Sequence, residues 1–434
     1  MKFPNLTRLL SDTENTKKDF FYFLNVIVLF LVSAYIFFAP FPASAVNEIT
    51  FYSSVVLVVF LIISKKTDFS FETPLLLPFA IFVIWAAIGI FFAVNKVNSS
   101  NDVYAHLIKY IIVYFLIVNY FNSPKRFIFL IWLVIISAAI FSYGGIVYFY
   151  LLKGNSIHTR FTNPGYVPYR DFIYVLATIL AVYMLSINTK LVHKTILTVC
   201  IFGTTAATFL TQTRNALIAL TIALCILLFT KKKALFLAGI LACILFAFTP
   251  AMEGRFSISA ITSYKAERMS MNRLFMEMTK ANPVTGIGFG MQTYQSEELL
   301  NSYNQKLPDK YKQGKPIAAP HNTLIDISAR LGIPGLIFFL YIIFTFFRMS
   351  WTTVMRGRHD FIREWGLCIT AAFTAFFIQG MVADTGFGLQ AFVQYTILAM
   401  MTILWQLNTK PDIMLQPAAD VPSNPHAWYG HNET

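Results

Sequence analysis

Residues Pro320 to Gly335 read PHNTLIDISARLGIPG, and the apolar run they open continues to about residue 347. A His and an Asn stand directly before a stretch long enough to cross a bilayer. Asp326 and Arg330 lie inside that stretch, and Gly332, Pro334 and Gly335 interrupt it. About twenty apolar residues at ~1.5 Å each cover the ~30 Å hydrocarbon core, and runs of that length recur from end to end. They are read as spans near 20–39, 46–64, 74–94, 103–121, 126–152, 172–188, 192–212, 214–230, 233–250, 323–347, 364–383 and 388–407. The chain is 56% hydrophobic and only 13% charged. That leaves too little polar surface for a water-soluble protein of 434 residues. The expected fold is an all-α integral membrane protein of about twelve transmembrane helices, with the first span uncleaved.

The formal charge of +13 is distributed topologically. Alternate loops carry Lys65 and Lys66, Lys125 and Arg126, Lys190 and Lys194, Lys231 to Lys233, and Arg356, Arg358 and Arg363, whereas the opposite short loops carry only Lys96. This positive-inside asymmetry puts both termini in the cytoplasm and His321 on the outer side. Nucleic acid is therefore not an expected partner. Cys200, Cys225, Cys243 and Cys368 all fall in apolar runs without CxxC spacing, so neither a disulfide framework nor a zinc site is implied.

The reading divides the chain into helices 1–9 over 1–250, a large outer loop over 251–322, three helices over 323–407 and a cytoplasmic tail over 408–434. A smaller outer loop, KGNSIHTRFTNPGYVPYRD, fills 153–171. In the large loop, Met271, Leu274, Phe275 and Met278 recur at i, i+3, i+4 and i+7 and predict one apolar helical face. Arg273, Glu277 and Lys280 lie off it. NPVTGIGFGMQTY then breaks the helix, and a second, polar helix is expected over roughly 292–306. GIGFG lacks the preceding strand and the spacing of a dinucleotide loop and is not a Walker A motif, so it reads as a tight turn. No HExxH, acidic cluster or Cys/His ligand set is present on the outer side, and no metal is expected.

The candidate chemistry rests on isolated residues at span ends. Arg214, in TQTRNAL, reads either as an interfacial Arg reaching water or as an anion-holding guanidinium. Arg273 reads either as the i, i+4 partner of Glu277 or as a second anion contact. Arg160 and Arg170 read as surface charges or supporting contacts. Asp326 and Arg330, four apart, are expected to neutralise each other. His321 and Asp326 are about 140° apart on a helix, which argues against a local dyad. Asp384, in GMVADTGFG, is a possible neighbour of His321 across helices.

His321–Asn322, nine residues, then Gly332, two residues and Gly335 resembles the H-N-x9-G-x-x-G signature of the O-antigen ligases. TQTRNAL resembles the Arg-bearing start of that superfamily's core, and RLFMEMTKANPVTGIGFGMQTY resembles its loop block. The resemblance covers roughly residues 200–400. It implies a C-type membrane glycosyltransferase with one large periplasmic loop of short helices, in the bacterial inner membrane, with the site facing the periplasm. It implies inverting, metal-independent transfer of glycan from undecaprenyl diphosphate to a sugar hydroxyl of lipid A–core, with no cofactor. Carried over by position, His321 is the catalytic base and Arg214 and Arg273 hold the diphosphate, with Asn322 and Asp384 in support. An O-antigen polymerase is the alternative within the superfamily. Arg160, Arg170, Arg255, Arg268 and Arg273 all lack the Arg-x10-Gly pattern of polymerases, and only one loop is large. A protein O-oligosaccharyltransferase or a transporter fits less well.

Overall fold

The computed structural model describes residues 13–161, 171–188, 190–229, 233–247, 258–316, 319–383 and 385–409, and no strand occurs among them. Eight helices are long and apolar enough to cross a membrane. Four shorter apolar helices, Leu76–Phe92, Asp171–Ile187, Arg214–Leu227 and Leu235–Phe246, complete the twelve expected spans among the described residues. The protein is an all-α, multi-pass membrane protein.

The chain divides into two compact units, Met1–Phe71 and Glu72–Thr434. In the first, α1 (Thr13–Phe38) and α2 (Ser44–Ile63) pair. Phe21 stacks near Phe60 at 6.4 Å and Tyr35 meets Phe51 at 5.9 Å. The start of one helix thus meets the end of the other, so the pair is antiparallel.

The second unit contains α3 (Leu76–Phe92), α4 (Lys96–Asp102), a π-helical turn (Val103–Ile108) and α5 (Lys109–Tyr120). Next come α6 (Pro124–Ile146), α7 (Asp171–Ile187), α8 (Leu191–Leu210), α9 (Arg214–Leu227) and α10 (Lys233–Ala247). The last elements are α11 (Ile258–Ala281), α12 (Glu297–Asn304), α13 (Thr323–Arg356), α14 (Asp360–Gly380) and α15 (Gly388–Thr409). Local chemistry sets several starts. Ser123 caps α6 through the Arg126 N–H, with Pro124 at the first helical position, where a missing N–H costs nothing. The central element is α15: 78% of its apolar window is buried, against 33% for α8. It has no charged residue, and α5, α13, α14 and α7 pack around it.

The helix predicted in the large loop is α11. Its apolar face is buried as expected, with Leu274, Phe275 and Met278 packed on Tyr294, Leu300, Tyr303, Leu307 and Ala329 of α13, and Met271 is also buried. The second loop helix is shorter than expected: a 3-10 turn covers Met291–Gln295, and Ser296 caps α12 only from Glu297.

The span expected at 103–121 begins earlier, at Lys96, with the polar run VNSSND. Asn95 caps this short helix by accepting the Asn98 N–H at 2.9 Å. Asn98, Ser99 and Asp102 face the loop over 290–292. Ser99 Oγ accepts from Gly290 N at 3.2 Å, Asn98 Oδ1 accepts from Gln292 N at 2.9 Å, and the Asp102 carboxylate accepts from Met291 N. Polar residues at this span end are therefore acceptors for the first N–H groups of the 3-10 turn, which the turn itself leaves without partners.

Candidate functional site

The long helix α13 is two helices joined at Gly332, which adopts φ +69° and ψ −175°. An L-residue is strained at that φ, and a Cβ there would overlap the Val284 carbonyl oxygen. Pro334 supplies no N–H, so the carbonyls around the break need outside donors. They have them. Ile287 N donates to Ala329 O at 3.0 Å, Gly288 N to Arg330 O at 3.0 Å, and the Trp85 indole N–H to Leu331 O at 2.8 Å. In return Ile333 N donates to Pro283 O at 2.7 Å. Gly286, at φ +64°, passes so close to the Arg330 carbonyl that any side chain would collide with it. GIGFG is a turn, as expected, and it completes the interrupted ladder of α13. Gly335 leaves no room for a Cβ beside Leu331. Gly332 is approached by the Val284 and Pro283 backbone, and Gly286 by the Arg330 and Leu331 backbone, so the loop and the broken helix interlock.

Ahead of the break, the half-helix 323–331 is held from both sides. Asn322 is its N-cap: Oδ1 accepts from Leu324 N at 3.0 Å and Ile325 N at 3.2 Å. The expected Asp326–Arg330 pair forms at 2.7 Å, fully buried. Arg330 also donates to the carbonyls of Phe289 and Gly290 and lies over the rings of Tyr294 and Phe387, at 4.1 and 4.7 Å. Both charges are thus spent internally, and Asp326 serves Arg330 rather than His321.

The carboxyl end of α14 gathers the site. The last carbonyls of α14 and those of the turn over 381–383 accept side chains from three other segments. Asn215 of α9 donates to Gln379 O at 3.0 Å and Ile378 O at 3.3 Å, and Asn322 donates to Met381 O at 3.2 Å. Arg268 of α11 donates to Val382 O at 3.2 Å, and Thr323 Oγ1 to Ala383 O at 3.0 Å. The heads of α9 and α13 and one side of α11 therefore converge on one rim.

His321 stands on that rim in a left-handed conformation, φ +48°. For a non-glycine this conformation is costly and is held only by its surroundings. Here the restraints are the Asn322 cap after it and Arg268, whose Nη1 also donates to the His321 carbonyl at 3.2 Å. Burial, and then the neighbouring Arg268 cation, push the imidazole down from 6.5 to about 4. In the folded protein it is neutral at pH 7 and ready to accept a proton, though as a weaker base.

The arginines sort differently from the expectation. Arg214 opens α9, partly buried, next to the Asn215 anchor. Arg160 braces that hairpin, donating from Nε to Thr211 O at 2.8 Å and from Nη2 to Thr213 Oγ1 at 3.2 Å. Arg273 is exposed and lies 5.3 Å over the Tyr311 ring; it is Arg268 that reaches His321. The Glu277 partner considered for Arg273 pairs instead with Lys280, at 2.6 Å. Arg170 and Asp384 lie outside the described residues.

Arg268 is the site residue that sequence reasoning missed, and a signal for it exists. At about 100° per residue it lies roughly 70° from the centre of the Met271–Leu274–Phe275–Met278 face, whereas Arg273 lies about 150° away. An Arg at the edge of a buried face points toward the protein; one opposite that face points to solvent. Trp85, 246 positions from its acceptor Leu331, left no such signal.

No curated protein matches the chain. Residues 196–340 match the family model described as O-antigen ligase, a segment that holds Arg214, Arg268, His321 and both glycine motifs. Over those residues the chain is similar to the O-antigen ligase family.

Proposed function

We propose that the protein transfers a glycan from undecaprenyl diphosphate to a sugar hydroxyl of lipid A–core, at the periplasmic face of the inner membrane. A site on that side has no nucleotide supply and needs a donor already activated, which a polyprenyl diphosphate is. The hydroxyl oxygen attacks the anomeric carbon from the face opposite the leaving group. The bond from that carbon to the diphosphate oxygen breaks, and the hydroxyl proton passes to the His321 imidazole. Arg268 and Arg214 stabilise the charge that develops on the departing diphosphate, as fixed donors do in a desolvated site. Neither the inversion nor the charge stabilisation draws on a metal.

The observation that carries this reading is the strained His321 with Arg268 on its carbonyl. A neutral imidazole and a guanidinium share one rim, at the end of the bundle where a membrane-embedded donor meets water. The low basicity of the free imidazole suits the resting protein. An incoming diphosphate dianion raises it toward its ordinary range just when a proton must be accepted.

The deciding experiment is lipid analysis in a strain lacking the protein. Long glycans retained on undecaprenyl diphosphate, with lipid A–core left bare, are expected. Core capped with a single repeat unit, and no long chains, would replace this reading with a polymerase using the same His and arginines.

A further inference from the structure

Arg273 belongs to a second cluster of cations, on the far side of α11 from His321. Its guanidinium lies 5.3 Å over Tyr311, and Lys310 Nζ lies 4.8 Å over the same ring. Lys306 Nζ lies 4.6 Å over Tyr303. All three cations are exposed, while Tyr303 is buried and Tyr311 packs against the loop core. The scaffold is fixed. Asn282 donates to the Tyr303 hydroxyl at 3.0 Å, and Asn304 makes a two-way clasp with the Gln313 backbone at 2.7 and 3.0 Å.

Nearby acids are engaged elsewhere: Glu277 with Lys280, Asp309 with Lys312 and Glu297 with Lys315. None of the three cations has a carboxylate within 4.0 Å among the described residues. Residues 265–315 carry eight Lys and Arg against five Asp and Glu, so the surplus charge of this loop is gathered in part on one face. A ring beneath a cation orients it and leaves its outward N–H donors free. Arg273 and Lys310 on one ring, with Lys306 on a second ring of the same loop core, offer donors to an anion presented from solution.

We propose that Arg273, Lys306 and Lys310, seated on Tyr303 and Tyr311, form a docking site for the anionic groups of the acceptor saccharide, its phosphates or carboxylates. The inference rests on the transfer reading above and adds the charge class of the acceptor. The donor diphosphate is a poor occupant. Arg268 and Arg273 are about 7.5 Å apart along α11 and some 140° apart around it, so an ion held at His321 does not share this face. An acceptor whose hydroxyl is at His321 and whose charge is at Tyr311 is a short oligosaccharide rather than one sugar ring.

The test uses the full chain in nanodiscs of neutral lipid. The acceptor oligosaccharide is freed of its lipid and compared before and after phosphates are removed and carboxyls reduced. Wild type should bind the anionic saccharide about tenfold more tightly than the neutral one at low salt, as expected for two or three exposed charge contacts. R273E/K310E should lose that preference, and R273Q/K310Q should lose most of it. In transfer assays the same variants should raise the acceptor KM about tenfold and leave kcat and the donor KM within about twofold. Equal binding of both saccharides by wild type, or a donor KM that rises with the acceptor KM, would overturn the docking site. A charge preference that appears only in discs of anionic lipid would assign the cluster to membrane headgroups and overturn it too. If wild type transfers nothing, the transfer reading fails, while the binding arm still decides the cluster.

Discussion

The two halves of α13 differ in what holds them. Residues 323–331 are enclosed by protein, and their polar groups are satisfied by α3, α11, α14 and the loop over 283–290. Residues 333–356 show an exposed apolar stripe of Ile333, Ile337, Leu340, Phe344, Trp351 and Met355, with an ordinary helical ladder beneath it. One half is specified by hydrogen bonds that only certain backbone atoms can make. The other is specified by hydropathy, which many residues supply equally well. The comparison teaches where this membrane protein tolerates change.

Substitutions on either side of Gly332 should therefore separate sharply. Gly332→Val places a β-branched residue at positive φ and drives it into the Val284 carbonyl. Its transfer activity, measured in membranes, should fall below detection with much reduced protein level, whereas Phe344→Leu should match wild type in both. An active Gly332→Val would mean that the break is not what positions the site.

His321→Ala isolates chemistry from architecture, because the ring is only partly buried and the Asn322 cap survives. A loss of about 10²–10⁴ in kcat is expected with normal accumulation, the range for a positioned base. Near-normal turnover would remove the imidazole from the mechanism.

Arg268→Ala should cost about 10²-fold or more in kcat, since it removes charge at the rim and the restraint on the His321 carbonyl. Arg268→Lys should recover part of that loss. Arg273→Ala should alter kcat at saturating acceptor by no more than about twofold. If Arg273→Ala were the more damaging of the two, the diphosphate assignment would return to Arg273.

Trp85→Phe leaves the Leu331 carbonyl without its indole donor in a desolvated place, at a cost of about 1–3 kcal/mol. A lower midpoint in thermal unfolding of the purified protein should report it, whereas Ile337→Val in the other half should not shift it.

The smallest effect is in the pH profile. The folded imidazole titrates near 4 rather than 6.5, so the proton-accepting form is complete well below neutrality. kcat/KM, which reports the free enzyme, should stay level from pH 8 down to about 5 and decline only near 4. By linkage, the neutral His321 contributes stability that is fully present above about 6.5 and is lost as pH falls toward 4. A kcat/KM inflection near 6.5 would contradict the buried environment described for His321.

What was legible in the sequence follows the same division. The spans were readable because hydropathy is local and additive, and each of the twelve falls on an apolar helix, although the one expected to end at 347 runs on to Arg356 and the one expected from 103 starts at Lys96. Asp326–Arg330 was readable because both partners sit one turn apart on a single helix. The interlock at Gly332 was not, since its donors are more than 40 residues away in one case and 246 in the other. Arg273 was preferred to Arg268 because the resemblance fixes a motif more firmly than it fixes the phase of a helix.

The head of α13 is also a ruler. Asn322 and Gly332 are clamped at separate points, the first to the end of α14 and the second to the 283–288 loop. The ten-residue step between them advances about 15 Å and turns through about 1000°. One residue added to that interval would turn Asn322 by about 100° and move it about 1.5 Å relative to Gly332, so the two clamps, and the place of His321 beside Arg268, could not all be kept. Length here is thus a constraint of its own, separate from the identity of the residues that fill the interval.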